Sequence, residues 1–474
     1  MIWTLALRHL LVKRVRAAVL LLGFALGVGV MVVLLSVGEA MLAQSRDVAL
    51  VGGGEVTVLP QGIDIEAMRT GGVSSMFFGI DRARAVTRQT LGGPRHAGTM
   101  RAVAPTLEYK LLYLRHSDRV LPVKAGAEIP SRMRAVGAGL ELRAGAWDDS
   151  PADSAWVAPS VQRLYDELDR FHLPARRDST WGEWHYFNVV TGPEEWFYIT
   201  YLVGGEVPDG RWGGQLLVTR RRPDGRYERH TANVEAARVR LDTARADLAL
   251  GASTVTQRDG RYRIVGTAGA VRFDLEVVPQ AHRYFPPVEL RSDEFLSGYV
   301  VPGLRSDARG TICVGGACRE VAGAPAYHDH NWGVWRDVTW EWGMGRGERL
   351  DLLYGGVISP TDSVGPAGAP FFLAVADSLG LAQVLRFRTI RYEGARPAGG
   401  AGGMAPERFD LVAAREGDTV RVHVEVLSAQ SSETRVRALF LQLRGRFTLE
   451  GRVAGRPVRD EGLGFFETYV ARLP

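Results

Sequence analysis

Apolar and polar positions along the chain change rhythm twice. Residues 17–38, AAVLLLGFALGVGVMVVLLSVG, carry no charge, and about 20 such residues rising about 1.5 Å each cross a hydrocarbon core as one helix. From 39 to 175 the pattern is mixed: VGGGEVTVLP and VAPTLEYKLLYLR read as strands, while DSAWVAPSVQRLYDELDRF spaces Leu164, Leu168 and Phe171 as a helix does. From about 178 onward, short alternating runs are separated by turn dipeptides. QLLVTRRR and RYERHTANVE flank Pro223-Asp224-Gly225, and VTQR and RYRIVG flank Asp259-Gly260, as in hairpins. Further strands are expected in VRFDLEVVP, DTVRVHVEVL and TRVRALFLQLRGRFTLEGRV, with GARPAGGAGGMAPE, 394–407, as a Gly-rich loop. Regular turns with period-two alternation point to antiparallel barrels or sandwiches. The expected organisation is a basic N-terminus at 1–16, a transmembrane helix at 17–38, a small α/β region at 39–175, and two β domains at 176–305 and 306–474.

Charge sets the orientation of the expected span. Arg8, Lys13, Arg14 and Arg16 precede the first acidic residue, Glu39, which places the N-terminus inside, with a single pass through the inner membrane and the body in the periplasm or outside the cell. A cleaved signal peptide with a site near Gly38 and Ala40 is the rival, but its apolar region is usually about 7 to 15 residues long. Gly23 and Gly27 form a GxxxG spacing that suits close helix pairing, with a permease or with a second copy. The net charge of +5 comes largely from the basic N-terminus, so no nucleic-acid footprint is expected on the body. With 46% apolar residues in 474, the chain has material for substantial cores.

Only two cysteines occur, Cys313 and Cys318, in TICVGGACREV. A tight turn at Val-Gly-Gly-Ala would set them across a hairpin, where an oxidising compartment allows a disulfide.

Chemistry concentrates in Ala326-Tyr327-His328-Asp329-His330-Asn331-Trp332-Gly333, followed by Trp335, Trp340 and Trp342. On a strand, Tyr327, Asp329 and Asn331 share one face while His328, His330 and Trp332 share the other. Polar groups converging among aromatic walls describe a ligand pocket. Protonating an isolated alkene needs an acid that stays neutral at ordinary pH, and a carboxyl in an apolar pocket does so. Asp329 is the candidate acid. Tyr327, Trp332, Trp335, Trp340 and Trp342 are candidates to stabilise a cation, by about 0.5 to 2 kcal/mol each, and His328 or His330 to orient the acid or activate water. Trp184 and Tyr186 in WGEWHYFNV, with Asn331, are candidate ligand contacts; a buried aromatic core is the competing account of that run. No metal is expected. His328 and His330 lie on one face but need a third ligand, so His185 or Glu183 would have to meet them, and nothing in the spacing requires it. No cofactor is expected either, and no GxSxG, HExxH or GxxxxGK[ST] occurs.

WGEWHYFNV, AYHDHNWG, WEWG and GLGFFETYV, in that order, resemble the AttH and carotenoid 1,2-hydratase (hydroxyneurosporene synthase) group over about 178–474. The resemblance implies two consecutive lipocalin-like barrels or half-barrels around an apolar cavity, in a group that includes enzymes hydrating or cyclising isoprenoids and polyenes. LALRHLLVKRVRAAVLLLGFALGVGVMVVLLSVG resembles the start of a MacB/FtsX-type ABC transporter permease over the first third of the chain, although no further span and no phosphate loop accompany it. Three functions fit: tethered binding of a lipid, isoprenoid or polyene without turnover; acid-catalysed hydration or cyclisation of such a ligand; or an assembly role beside a permease.

Overall fold

In the computed structural model, the chain is described over residues 14–46, 56, 58, 80–95, 98–100, 102–116, 119–136, 149–153, 169–174, 178–207, 210–291, 295–335, 339–358, 371–433 and 438–471. It divides into two compact units, 1–78 with 101–153, and 79–100 with 154–474.

The first unit holds the helix Arg14–Arg46, the antiparallel hairpin of β1 (Thr106–His116) and β2 (Arg119–Glu128), and the helix Pro130–Ala135. The segment 17–38 lies inside the long helix, and its described side chains from Leu21 to Val37 are exposed. No helix among the described residues is long and apolar enough to cross a membrane. The strand expected in VAPTLEYKLLYLR is β1. VGGGEVTVLP and the helix expected through Leu164 and Leu168 fall almost wholly outside the described residues.

The second unit carries the helix Ile80–Gly92 and, apart from one 3-10 turn at Ala236–Arg238, the regular structure among its described residues is β. Its first sheet contains β3 (Trp181–Gly192), β4 (Glu195–Gly205), β5 (Trp212–Arg221), β6 (Tyr227–Glu235), β7 (Val239–Leu241), β8 (Leu248–Leu250), β9 (Ser253–Arg258), β10 (Arg261–Ala268), β11 (Val271–Pro279), β12 (Phe285–Arg291), β13 (Phe295–Val314) and β14 (Ala317–Trp335). The strand order is 6-5-4-3-14-13-11-10-9-8-7, with β12 on β13. The second sheet is built from β15 (Thr339–Gly347), β16 (Asp351–Ile358), β17 (Phe372–Asp377) and β18 (Gly380–Glu393), then, after short β19 (Arg396–Pro397), β20 (Gly399–Gly400) and β21 (Met404–Ala405), from β22 (Arg408–Arg415), β23 (Asp418–Glu433), β24 (Ala438–Val453) and β25 (Arg456–Ala471). Pairing of β23 with both β22 and β24 closes this sheet on itself, which leaves the ring no unpaired edge. The expected hairpins at Pro223-Asp224-Gly225 and Asp259-Gly260 are β5–β6 and β9–β10, and the Gly-rich stretch 394–407 holds the three short strands.

The first sheet runs on through Trp335 and the second begins at Thr339, so the position 305/306, expected to separate two β domains, falls inside a strand. The physical reason is β13, a continuous strand across that position, paired with β14 along its length and on its other edge with β12 over its first half and β11 over its second. Its hairpin to β14 turns at Gly315 and Gly316, with φ of 59° and 89°, as the favoured two-residue hairpin turn demands. Cys313 faces Cys318 across it, and the two form a disulfide.

Burial follows the period. Strand β10 reads exposed, buried, exposed, buried, with Tyr262 and Ile264 inward and one face toward solvent. Strands β3 and β4 are buried almost continuously from Trp181 to Val203, because their second face meets the other sheet. Three cores result: one inside each sheet, and a third, aromatic one between the sheets that includes Tyr186, Trp196, Tyr198, Tyr299, Tyr327, Trp342 and Phe465.

Candidate functional site

Strand β14 is the wall shared by two buried clusters. Its register with β3 sets His330 opposite His185, Asp329 opposite Tyr186 and Asn331 opposite Trp184. Side chains of opposite parity therefore leave in opposite directions, and the structure does not bring the residues of YHDHNWG into one site.

Toward the second sheet lie Tyr327, Asp329 and Asn331. Trp342 Nε1 donates to Tyr299 Oη at 2.8 Å, the Tyr299 and Tyr327 hydroxyls are 2.8 Å apart, and Tyr327 donates to Asp329 Oδ2 at 2.8 Å. An indole N–H only donates, so the chain of protons runs Trp342, Tyr299, Tyr327, Asp329. Asn331 Nδ2 donates to the other carboxyl oxygen, Oδ1, at 2.8 Å. Asp329 is 3% exposed. Burial drives its pKa well above the ordinary carboxylate range, the Glu467 charge adds to this, and the hydrogen bonds from Tyr327 and Asn331 oppose it. Both carboxyl oxygens thus accept a hydrogen bond, in a setting whose burial favours the neutral form.

Around Asp329 stand Tyr186, whose ring lies 6.0 Å from that of Trp342, Tyr327, 5.5 Å from Trp342, and Tyr198, 5.3 Å from Phe465. Trp184 packs at the margin of this aromatic core. From the second sheet, Glu467 accepts from Trp340 Nε1 at 3.0 Å and from Gln442 Nε2 at 3.2 Å, and burial pushes its carboxyl up to about 7. Nothing in the sequence marks Glu467 as the second carboxyl here, because β25 and β14 are brought near each other only by the tertiary fold.

The opposite face of β14 looks into the first sheet. His328 and His330 meet Asp169 and His172 from the segment 169–174, Glu183 and His185 from β3, and Tyr262 from β10. Every member except His172 is buried. Asp169 Oδ2 accepts from Tyr262 Oη at 2.5 Å and lies 3.2 Å from His328 Nε2, while Oδ1 is 2.7 Å from His330 Nδ1. Burial works against the Asp169 charge, but the imidazoles of His185, His328 and His330 hold it well below the usual range. Despite burial, Asp169 and Glu183 push His330 up to about 9. Trp332 belongs to this side, stacked on His172 at 3.7 Å, with its ring against Gly298, where a Cβ would come within 1.9 Å of it. It is not part of the aromatic core around Asp329. The side chain of Trp335 lies outside the described residues.

The third ligand that a metal reading lacked in sequence is present in space: Asp169, His185 and His330 converge, as do His172, Glu183 and His330. Asp169 and His172 escaped sequence reading because DELDRF scans as a helix, and nothing local says that this segment enters a barrel.

No family model matches the chain, and no curated protein matches it. Among solved structures it is similar to an AttH-like protein of Nitrosomonas europaea, at 16% identity over 62% of this chain and 93% of that one, with a TM-score of 0.45. It is also similar to CghA in complex with Sch210972, at 10% identity over 62% and 89%, TM-score 0.46. A third is kievitone hydratase from Nectria haematococca, at 12% over 64% and 94%, TM-score 0.41. At these identities and scores the likeness assigns no residue and no reaction to this chain.

Proposed function

We propose that the aromatic core between the two sheets admits an unsaturated apolar ligand, an isoprenoid or polyene, and that Asp329 protonates one of its double bonds. The observation that carries the reading is the place of the Asp329 carboxyl, buried among Tyr186, Tyr299, Tyr327 and Trp342 with both oxygens already accepting. Proton transfer from Asp329 to the less substituted alkene carbon leaves a tertiary cation at its neighbour, against ring faces that attract positive charge. Water then adds to the cation and its proton returns to a carboxylate, Asp329 or Glu467; capture by a second double bond of the same ligand gives a ring instead. The sequence resemblance to the AttH and carotenoid 1,2-hydratase group supports the same chemistry. Replacing Asp329 by Asn keeps shape and hydrogen bonding but removes the acidic proton, so turnover is expected to fall about 10²- to 10⁴-fold with ligand binding retained. Binding with no product, heavier by one water or isomeric, in the wild type would favour a carrier instead.

Membrane attachment through 17–38 and pairing through Gly23 and Gly27 belong to the same proposal. A long helix with exposed apolar side chains such as Leu21, Leu22, Phe24 and Leu26 is costly in water, and a bilayer removes the cost. The expected result is that the full chain sediments with membranes and stays there through an alkaline carbonate wash. Release by the wash would overturn the tether.

A further inference from the structure

We infer that Asp169, His185 and His330, inside the first sheet, form a binding site for a divalent transition-metal cation. One ligand atom from each lies within 4.8 Å of the others. The tautomers are the first argument. His185 Nε2 is 2.9 Å from Ala246 O, and a carbonyl only accepts, so Nε2 carries the proton. That leaves His185 Nδ1 as a bare lone pair, fully buried, without a hydrogen-bond partner, 3.9 Å from Asp169 Oδ1. An orphaned lone pair in a dry interior is costly, and a cation relieves it. His330 is arranged in the same way: Nε2 is 3.0 Å from Glu183 Oε1, and Nδ1 faces Asp169 Oδ1 at 2.7 Å. Metal-bound histidines characteristically give their second ring N–H to a carboxylate or a backbone carbonyl, and both partners are already in place. Donors bound at about 2.0–2.2 Å sit roughly 3 to 4 Å apart, so the site needs only tenths of an ångström of adjustment between Asp169 and His330.

Charge is the second argument. Asp169 and Glu183 are two carboxylates with no measurable exposure, and no arginine or lysine is paired with either among the described residues. One divalent cation neutralises both while the histidines stay neutral. Imidazole with carboxylate suits zinc and its first-row neighbours rather than calcium or magnesium. With Asp169 from the incoming segment and histidines from β3 and β14, the cation would fasten residues 169–174 to the sheet on the face of β14 opposite Asp329. His172, its side chain 13% exposed, marks the side nearest solvent.

The test uses the full chain, refolded in detergent with zinc and, separately, with cobalt, then dialysed and assayed by elemental analysis. About one zinc per chain is expected, with a melting temperature that rises with zinc concentration. Asp169→Asn and His185→Gln are expected to lose the metal while Asp329→Asn keeps it. Should those two variants fail to fold, X-ray absorption of the wild type decides the matter: nitrogen and oxygen neighbours with outer-shell imidazole scattering support the site. A metal-free wild type whose melting temperature ignores zinc, or Asp169→Asn that retains full stoichiometry, would overturn it and leave a protonated histidine–carboxylate network.

Discussion

At the scale of single residues, alternation along one strand separates two chemistries. Asp329 and His330 are neighbours in sequence, yet the carboxyl of one faces an aromatic core and the imidazole of the other faces two buried carboxylates. This separation was legible in part: the period of two in YHDHNWG sorts Tyr327, Asp329 and Asn331 from His328, His330 and Trp332 correctly. That each face looks into a different compartment was not legible, because the compartments are made by β3, β15 and the segment 169–174. Glu341 gives a separate residue-scale prediction. It accepts from Tyr392 Oη at 2.5 Å and Thr468 Oγ1 at 2.6 Å inside the second sheet, where burial pushes its carboxyl up to about 7. A carboxyl with a raised folded-state pKa contributes most below the unfolded value, about 4.3, and its contribution falls as pH rises toward 7. Glu341→Gln should therefore raise the melting temperature at pH 8 and leave it nearly unchanged at pH 4. An equal effect at both pH values would show that the charge is not the cause.

Elements carry the second level. Paired turn glycines and β-type runs announce the hairpin of β13 and β14, and the structure places its disulfide where TICVGGACREV suggested. A link closing so short a loop stabilises by roughly 2 kcal/mol. Cys313→Ser with Cys318→Ser should lower stability by about that amount in denaturant unfolding while leaving ligand binding intact, since the link sits at the far end of β14 from Asp329. Strands buried on both faces were harder to place. WHYFNVV and WFYITYLV look alike whether they fill one core or divide two, and only the second sheet behind β3 and β4 makes them dividing walls. The division of the β region at 305/306 fails for a related reason: a single strand that serves two partners in succession carries no turn to mark the change.

At the scale of the whole second unit, the two sheets are joined by more than aromatic packing. Asp351 of β16 accepts from Arg283 at 2.5 Å and from Arg305 at 2.6 Å, and all three side chains are largely buried. Removing one partner strands charges in a dry setting, so Asp351→Ala should cost about 3 to 5 kcal/mol and loosen both sheets together in hydrogen exchange. Loss of protection confined to the second sheet would mean that the ion pairs do not couple them. The aromatic surroundings of Asp329 exist only while the sheets stay joined, since Tyr299 and Tyr327 come from one and Trp342 and Glu467 from the other.

The most direct test of the proposed acid follows deuterium and oxygen. The full chain would be purified from its own host with whatever apolar compound it retains, then incubated in D2O or in H2¹⁸O beside Asp329→Asn. The account predicts that wild type returns a product carrying one new carbon-bound deuterium, and one ¹⁸O where water is added, while the variant retains the compound unchanged. Equal label incorporation by Asp329→Asn and wild type would contradict it.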